Sequence, residues 1–138
     1  MALKNFFQQL ARDGLKERRR KPGDEEHRLQ AECVNWFRAR YPHMRNSLFA
    51  VPNGGRRDKT TGARLKAEGV IPGVADLILL RQSNGYGALL IELKTATGKQ
   101  SPAQKAWQKE MEANGYKYVV VRSVEEFLNE VFDYMLDF

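Results

Sequence analysis

The sequence predicts an α/β domain, a mixed four-stranded sheet flanked by helices, and three observations carry this. Two short runs rich in branched apolar residues, 74–80 and 88–93, suit buried strands. Between them, residues 82–87 (QSNGYG) have the chemistry of a hairpin loop. After the second run, a helical segment at 101–114 leads into a further strand-like run at 116–121 (YKYVVV), which makes a right-handed βαβ crossover with parallel strands.

The elements follow in order. Residues 5–15 have the spacing of a short amphipathic helix, and the basic tract 16–21 and Pro22-Gly23 come after it. Arg18, Arg19 and Arg20 in that tract are either a DNA-contacting arm or a solvated tether, and the sequence does not decide between them. Asp24 is a candidate cap for a helix over 25–40, with Leu29, Cys33, Trp36, Phe37 and either Ala31 or Ala39 at helical spacing. A first strand is expected at 47–51, then a turn at 52–55 and a short helix over 60–68 closed by Gly69. After the hairpin, Ser101 caps the crossover helix, Pro102 suits its first position and Gly115 ends it. Ser123 caps a final helix that runs towards Asp137.

Composition narrows the class. A chain of 138 residues is long enough for one domain with a real core. No apolar run approaches a membrane span and no export signal is visible, so a cytoplasmic protein is expected. The single Cys33 excludes an internal disulfide and sits on an apolar helical face, as a buried thiol would. The net charge of +6 suits a polyanionic partner, although a merely solvated basic surface gives the same number.

The chemistry concentrates in residues 73–94. Hairpin pairing about Asn84-Gly85 places Asp76 beside the Glu92–Leu93 level of the next strand. Side chains alternate along a strand, so Glu92 and Lys94 share one face. Two carboxylates and a lysine then converge at strand ends. A divalent cation would relieve the repulsion between the acids, and oxygen ligands suit magnesium or manganese. That set is what a metal-dependent phosphodiesterase needs. The bland alternative is a strand end with a solvated Glu–Lys pair.

Other residues have two readings. Asn53 with its two glycines is a tight turn, and its closeness to Arg56, Arg57 and Lys59 makes it equally a DNA-facing loop. Arg64 and Lys66 extend the same basic stripe towards backbone phosphates. Trp36 and Trp107 have core spacing. His27 and His43 are not needed by an all-oxygen site.

Five pieces, in order, resemble the VRR-NUC (virus-type replication-repair nuclease) domain of the PD-(D/E)XK nuclease superfamily. They are EHRLQ at 26–30, VPNGGRR at 51–57, ARLKAEGVIPGVADL at 63–77, LLIELK at 89–94, and SPAQKAW at 101–107 followed by the GY strand. One departure is Ala75, where the family usually has proline before the metal-binding aspartate. The resemblance implies a restriction-endonuclease-like αβββαβ core in residues 23–138, with 1–22 as a basic N-terminal helix or arm. It implies that Asp76 and Glu92 bind Mg2+ or Mn2+, with the Leu93 backbone carbonyl completing the site. Lys94 stands beside the scissile phosphate, Glu26 is a further acidic ligand, and Gln104 lines the same site, where the residues alone suggest only a solvated helix position.

Stand-alone phage or bacterial members of the resembled family act as dimeric Holliday-junction resolvases. The expected activity is therefore structure-selective cleavage of branched DNA by a homodimer. Apolar residues at both ends, Phe6, Phe7 and Leu10, then Phe127, Leu128, Val131, Phe132, Met135 and Phe138, are available for an interface, with core packing as the other reading of the second set. A nuclease for flaps or linear duplex and a non-catalytic DNA-binding module are the alternatives.

Overall fold

A computed structural model describes residues 24–52 and 59–136. Helix α1 (Asp24–Arg40) is followed by a 3-10 turn (Pro42–Ser47), strand β1 (Leu48–Ala50), helix α2 (Lys59–Ala67), strands β2 (Leu77–Leu79) and β3 (Leu89–Leu93), helix α3 (Pro102–Ala113), strand β4 (Lys117–Val121) and helix α4 (Val124–Met135). The strands form one open sheet in the order β1-β2-β3-β4. The first two pairings are antiparallel and the third is parallel, so the mixed α/β sheet expected from the sequence is present.

β3 is buried along its whole length, and its alternate residues serve two cores. Leu89, Ile91 and Leu93 face Cys33 and Phe37 of α1 and Phe127, Leu128 and Val131 of α4. Leu90 belongs to a smaller core with Ala75, Ala88 and Tyr118, against which Trp107 and Met111 of α3 pack. Trp107 meets Tyr118 edge-on, with ring centroids 6.1 Å apart, and Trp36 packs against the larger core. Both tryptophans are core residues, as their spacing suggests. Cys33 is fully buried, and burial pushes its thiol up to about 12. Of the alternatives on α1, neither Ala31 nor Ala39 joins the core, and both are exposed.

The hairpin register pairs Leu77 with Ile91, which continues to Asp76 opposite Glu92, at the depth the sequence predicts. Asn84 and Gly85 both have positive φ, 51° and 84°, the backbone of a tight primed turn. The turn is tied to the end of α4. Asn84 Nδ2 donates to the Leu136 carbonyl over 2.7 Å, Ser83 Oγ donates to the Tyr134 carbonyl, and Tyr134 Oη donates to the Arg81 carbonyl.

Two strands are shorter than the apolar runs suggest. β2 spans three residues, because Gly73 takes φ +84° and Ala75 packs into the smaller core before pairing begins. β1 also spans three, since Ser47 ends the 3-10 turn, although the Val51 amide still donates to the Asp76 carbonyl over 2.9 Å. The expected helix over 5–15, the basic tract with Arg18, Arg19 and Arg20, the loop residues Asn53, Arg56 and Arg57, and Phe6, Phe7, Leu10 and Phe138 lie outside the described residues.

Candidate active site

Asp76 stands just before β2, where its carbonyl already belongs to the β1 pairing. Its Oδ2 accepts the Leu93 amide over 2.8 Å, which fixes the carboxylate against the end of β3. Glu92, on β3, is only 1% exposed. Its Oε1 accepts from Gln104 Nε2 over 3.0 Å and lies 3.6 Å from Lys94 Nζ. Its Oε2 takes a long hydrogen bond, 3.4 Å, from the Tyr118 hydroxyl. That hydroxyl accepts from Gln100 Nε2 over 3.3 Å, and the same amide donates to Gln108 Oε1 over 2.9 Å.

Gln104 is where it is because of helix capping. Ser101 Oγ accepts the Gln104 amide over 3.2 Å, and Gln104 Oε1 accepts the Ser101 amide over 2.8 Å, a reciprocal box at the start of α3. The side chain thus bridges the helix terminus and Glu92.

Glu26, in the first turn of α1, lines the same cleft as Asp76, Glu92 and Gln104, a space of about 500 Å³. Burial pushes its carboxyl above the usual range, the Asp76 charge adds to the rise, and Lys94 opposes it. The larger effect is at Glu92. Burial, then a hydrogen bond with Asp76 and its charge, push Glu92 up to about 8, against the pull of Lys94. Among the described residues no three carboxylate, imidazole or thiol side chains are assembled to hold one ion. The kernel of the site is therefore the Asp76–Glu92 pair, with Glu26 facing it from α1.

Arg64 and Lys66 are exposed on α2, and Lys59 begins that helix, with its side chain outside the described part. Lys66 lines a second cavity that shares Pro72 and Gly73 with the acidic cleft, so this lysine stands beside it. His27 and His43 are exposed on α1 and the 3-10 turn.

Sequence reasoning missed two neighbours of the site. Tyr118 pairs with Leu90 in the parallel ladder, which puts it on the face of Glu92. Its phenol is pushed up, first by burial and then by the Glu92 charge. A signal existed in the alternation of YKYVVV, but it needs the register across a crossover. Gly73 is the other. A Cβ there would lie 2.4 Å from the Ala103 carbonyl oxygen and 2.8 Å from the Gln104 nitrogen. The chain leading to Asp76 therefore touches the backbone of α3.

Glu92→Gln tests the electrostatics of the pair. An acid whose folded pKa is raised from 4.5 to about 8 takes stability away as pH climbs through that window, because the unfolded chain gives up its proton first. The glutamine variant is therefore expected to match the parent near pH 4.5 and to exceed it in metal-free buffer above pH 8, by on the order of 1–3 kcal/mol. Urea melts across that range measure it, and a constant difference at all pH values contradicts it.

A mixed sheet in this order, with two acids and a lysine at the ends of its central hairpin, defines the restriction-endonuclease-like class of nuclease folds. The family model described as the VRR-NUC domain matches residues 8–125, and the chain belongs to that family. Membership carries a nuclease-type function, with DNA as the substrate. A solved structure described as "VRR_NUC domain protein" superposes with a TM-score of 0.70 over 80% of this chain and 88% of that one. At 23% identity it is similar in fold. No curated protein matches the chain.

Proposed function

We infer that the chain is a metal-dependent, structure-selective endonuclease that hydrolyses DNA phosphodiester bonds and resolves four-way junctions as a homodimer. The observation that carries the reading is the placing of Asp76 and the buried Glu92 on the wall of one cleft, with the Lys94 ammonium 3.6 Å from Glu92. Two carboxylates forced together at the wall of a cleft fit a divalent cation, and all-oxygen donors favour Mg2+ or Mn2+. Asp76, Glu92 and the Leu93 carbonyl would hold the ion, with Glu26 acting directly or through water. The cation supplies activated water and charge neutralisation at phosphorus when bound.

This chain's own residues do the rest. Lys94 has no lone pair to offer a metal, so its ammonium serves the negative charge on the attacked phosphate. Gln104 keeps Glu92 in one orientation. Arg64 and Lys66, with Asn53, Arg56, Arg57 and Lys59 and the tract Arg18, Arg19 and Arg20, hold backbone phosphates, contacts that position DNA without reading its sequence.

One acid pair in each chain gives one cut for each protomer. A four-way junction needs two symmetric cuts, and a twofold dimer supplies them. After α4 has covered the sheet with Phe127, Leu128 and Val131, Phe132 remains 42% exposed and Leu136 38% exposed, apolar surface available to a partner protomer. Labelled junction, flap and linear DNAs incubated with Mg2+ or Mn2+ test the reading. Preferred junction cutting, abolished by EDTA, by a protein that scatters light as a dimer is the expected result. A monomer that cuts all three at equal rates would refute both junction choice and dimer.

A further inference from the structure

Lys94 can serve a phosphate only if its stem is aimed, and the chain after it is a tight turn rather than a strand. The Gly98 amide donates to the Thr95 carbonyl over 3.2 Å and closes that turn. Gly98 lies against the lysine stem: a Cβ at Gly98 would sit 3.5 Å from Lys94 Cδ and 3.1 Å from Thr95 Oγ1. What holds the turn comes from the end of β4. Arg122 Nη1 donates to both the Thr95 and the Gly98 carbonyls, each over 2.7 Å. The residue before it, Val121, accepts the Lys94 amide over 3.0 Å. The Arg122 backbone is itself fixed, its amide donating to Glu126 Oε2 over 2.6 Å at the start of α4. Two charge-assisted bonds from one nitrogen to the two ends of a four-residue turn clamp it shut.

We propose that Arg122 is a positioning residue for Lys94, acting through the Thr95–Gly98 turn that it clamps. The inference rests on the nuclease reading above for the role of Lys94, but the clamp itself is a property of the free protein. Arg122 also borders a cavity with Arg28, Thr95 and Ala96, so direct contact with a DNA phosphate is the rival role.

Three variants separate the roles: Arg122→Met, Arg122→Lys and Gly98→Ala. The first removes the clamp. The second keeps a donor charge and is expected to restore part of the loss. The third keeps every charge but crowds Thr95 Oγ1 at 3.1 Å, inside the turn, with its methyl in ordinary contact with Lys94 Cδ. Cleavage in excess Mn2+ is expected to show kcat down about tenfold in Arg122→Met and reduced in Gly98→Ala, with KM for DNA changed by less than about twofold. In metal-free protein, hydrogen exchange at the Gly98 amide is expected to quicken in Arg122→Met. A raised KM with a salt slope about one unit shallower, and kcat intact, would assign Arg122 to a phosphate instead. A lower Tm with kcat per folded molecule unchanged would reduce it to fold support. If the parent protein cuts no DNA, the nuclease reading falls, and amide exchange still decides the clamp: unchanged protection in Arg122→Met overturns it.

Discussion

Asp76→Asn is expected to fold like the parent and to cut DNA slower by on the order of 10²-fold or more. Asparagine keeps an oxygen for the Leu93 amide that Asp76 Oδ2 now accepts over 2.8 Å, so the end of β3 stays tied. It removes the charge, and with it half of the kernel that would attract a cation. Asp76→Ala is the harsher change, because it also leaves that amide without its acceptor, at a cost of about 1–3 kcal/mol. Lys94→Met and Glu92→Ala are expected to fall into the same range of lost activity. Glu26→Ala and Gln104→Ala should lose less, one standing across the cleft and the other acting through Glu92. Single-turnover cleavage with circular dichroism as the folding control measures the series. Parental rates in Asp76→Asn would remove the site.

The second large effect belongs to a residue with no side chain. Gly73→Ala is expected to destabilise the protein by on the order of 3 kcal/mol and to lower Tm by roughly 10 °C. Two costs combine. Its φ of +84° lies in the left-handed region, which costs a non-glycine residue about 1–2 kcal/mol. The new methyl would also meet the Ala103 carbonyl oxygen at 2.4 Å, and that oxygen is helix backbone that cannot rotate away. Gly69→Ala is the control, with φ +101° and nothing within 4 Å of the added carbon. Calorimetric melts of the two variants isolate the close approach. Equal losses would mean that the chain before Asp76 does not depend on touching α3. A larger loss for Gly73, with activity falling faster than the folded fraction, would show that this contact sets the position of the aspartate.

The kernel of the site was legible because it is local. Asp76, Glu92 and Lys94 lie on one hairpin, and a two-residue turn with period-2 alternation fixes which side chains meet. The same rule could not reach Tyr118 or Arg122. They approach from β4, after a helical crossover, and local pattern does not encode the register of a parallel pair. Gln104 came only through family likeness, since its spacing on α3 is that of a solvated position and its contact with Glu92 is tertiary. The 3-10 turn before β1 went unseen because Pro42 and Asn46 suit a loop equally well. Gly73 was passed over inside GVIPGVAD for a similar reason. A glycine beside proline suggests a bend, and nothing in the string says what the bend leans on.

Gln104 ties the energetics of a helix end to the electrostatics of the cleft, and this limits which neighbours can replace it. Its Oε1 is engaged by the Ser101 amide, which leaves Nε2 to face Glu92. Glutamate and glutamine are interchangeable at this place in a capping box as far as the helix is concerned. In the cleft they are opposites, for Gln104→Glu would turn a donor into a fourth carboxylate, set against an acid already driven to about 8. A substitution that is silent in the secondary structure would therefore be loud in the chemistry. Selection for a stable α3 alone would let both residues drift through this position, and only selection on the site would hold it to the amide.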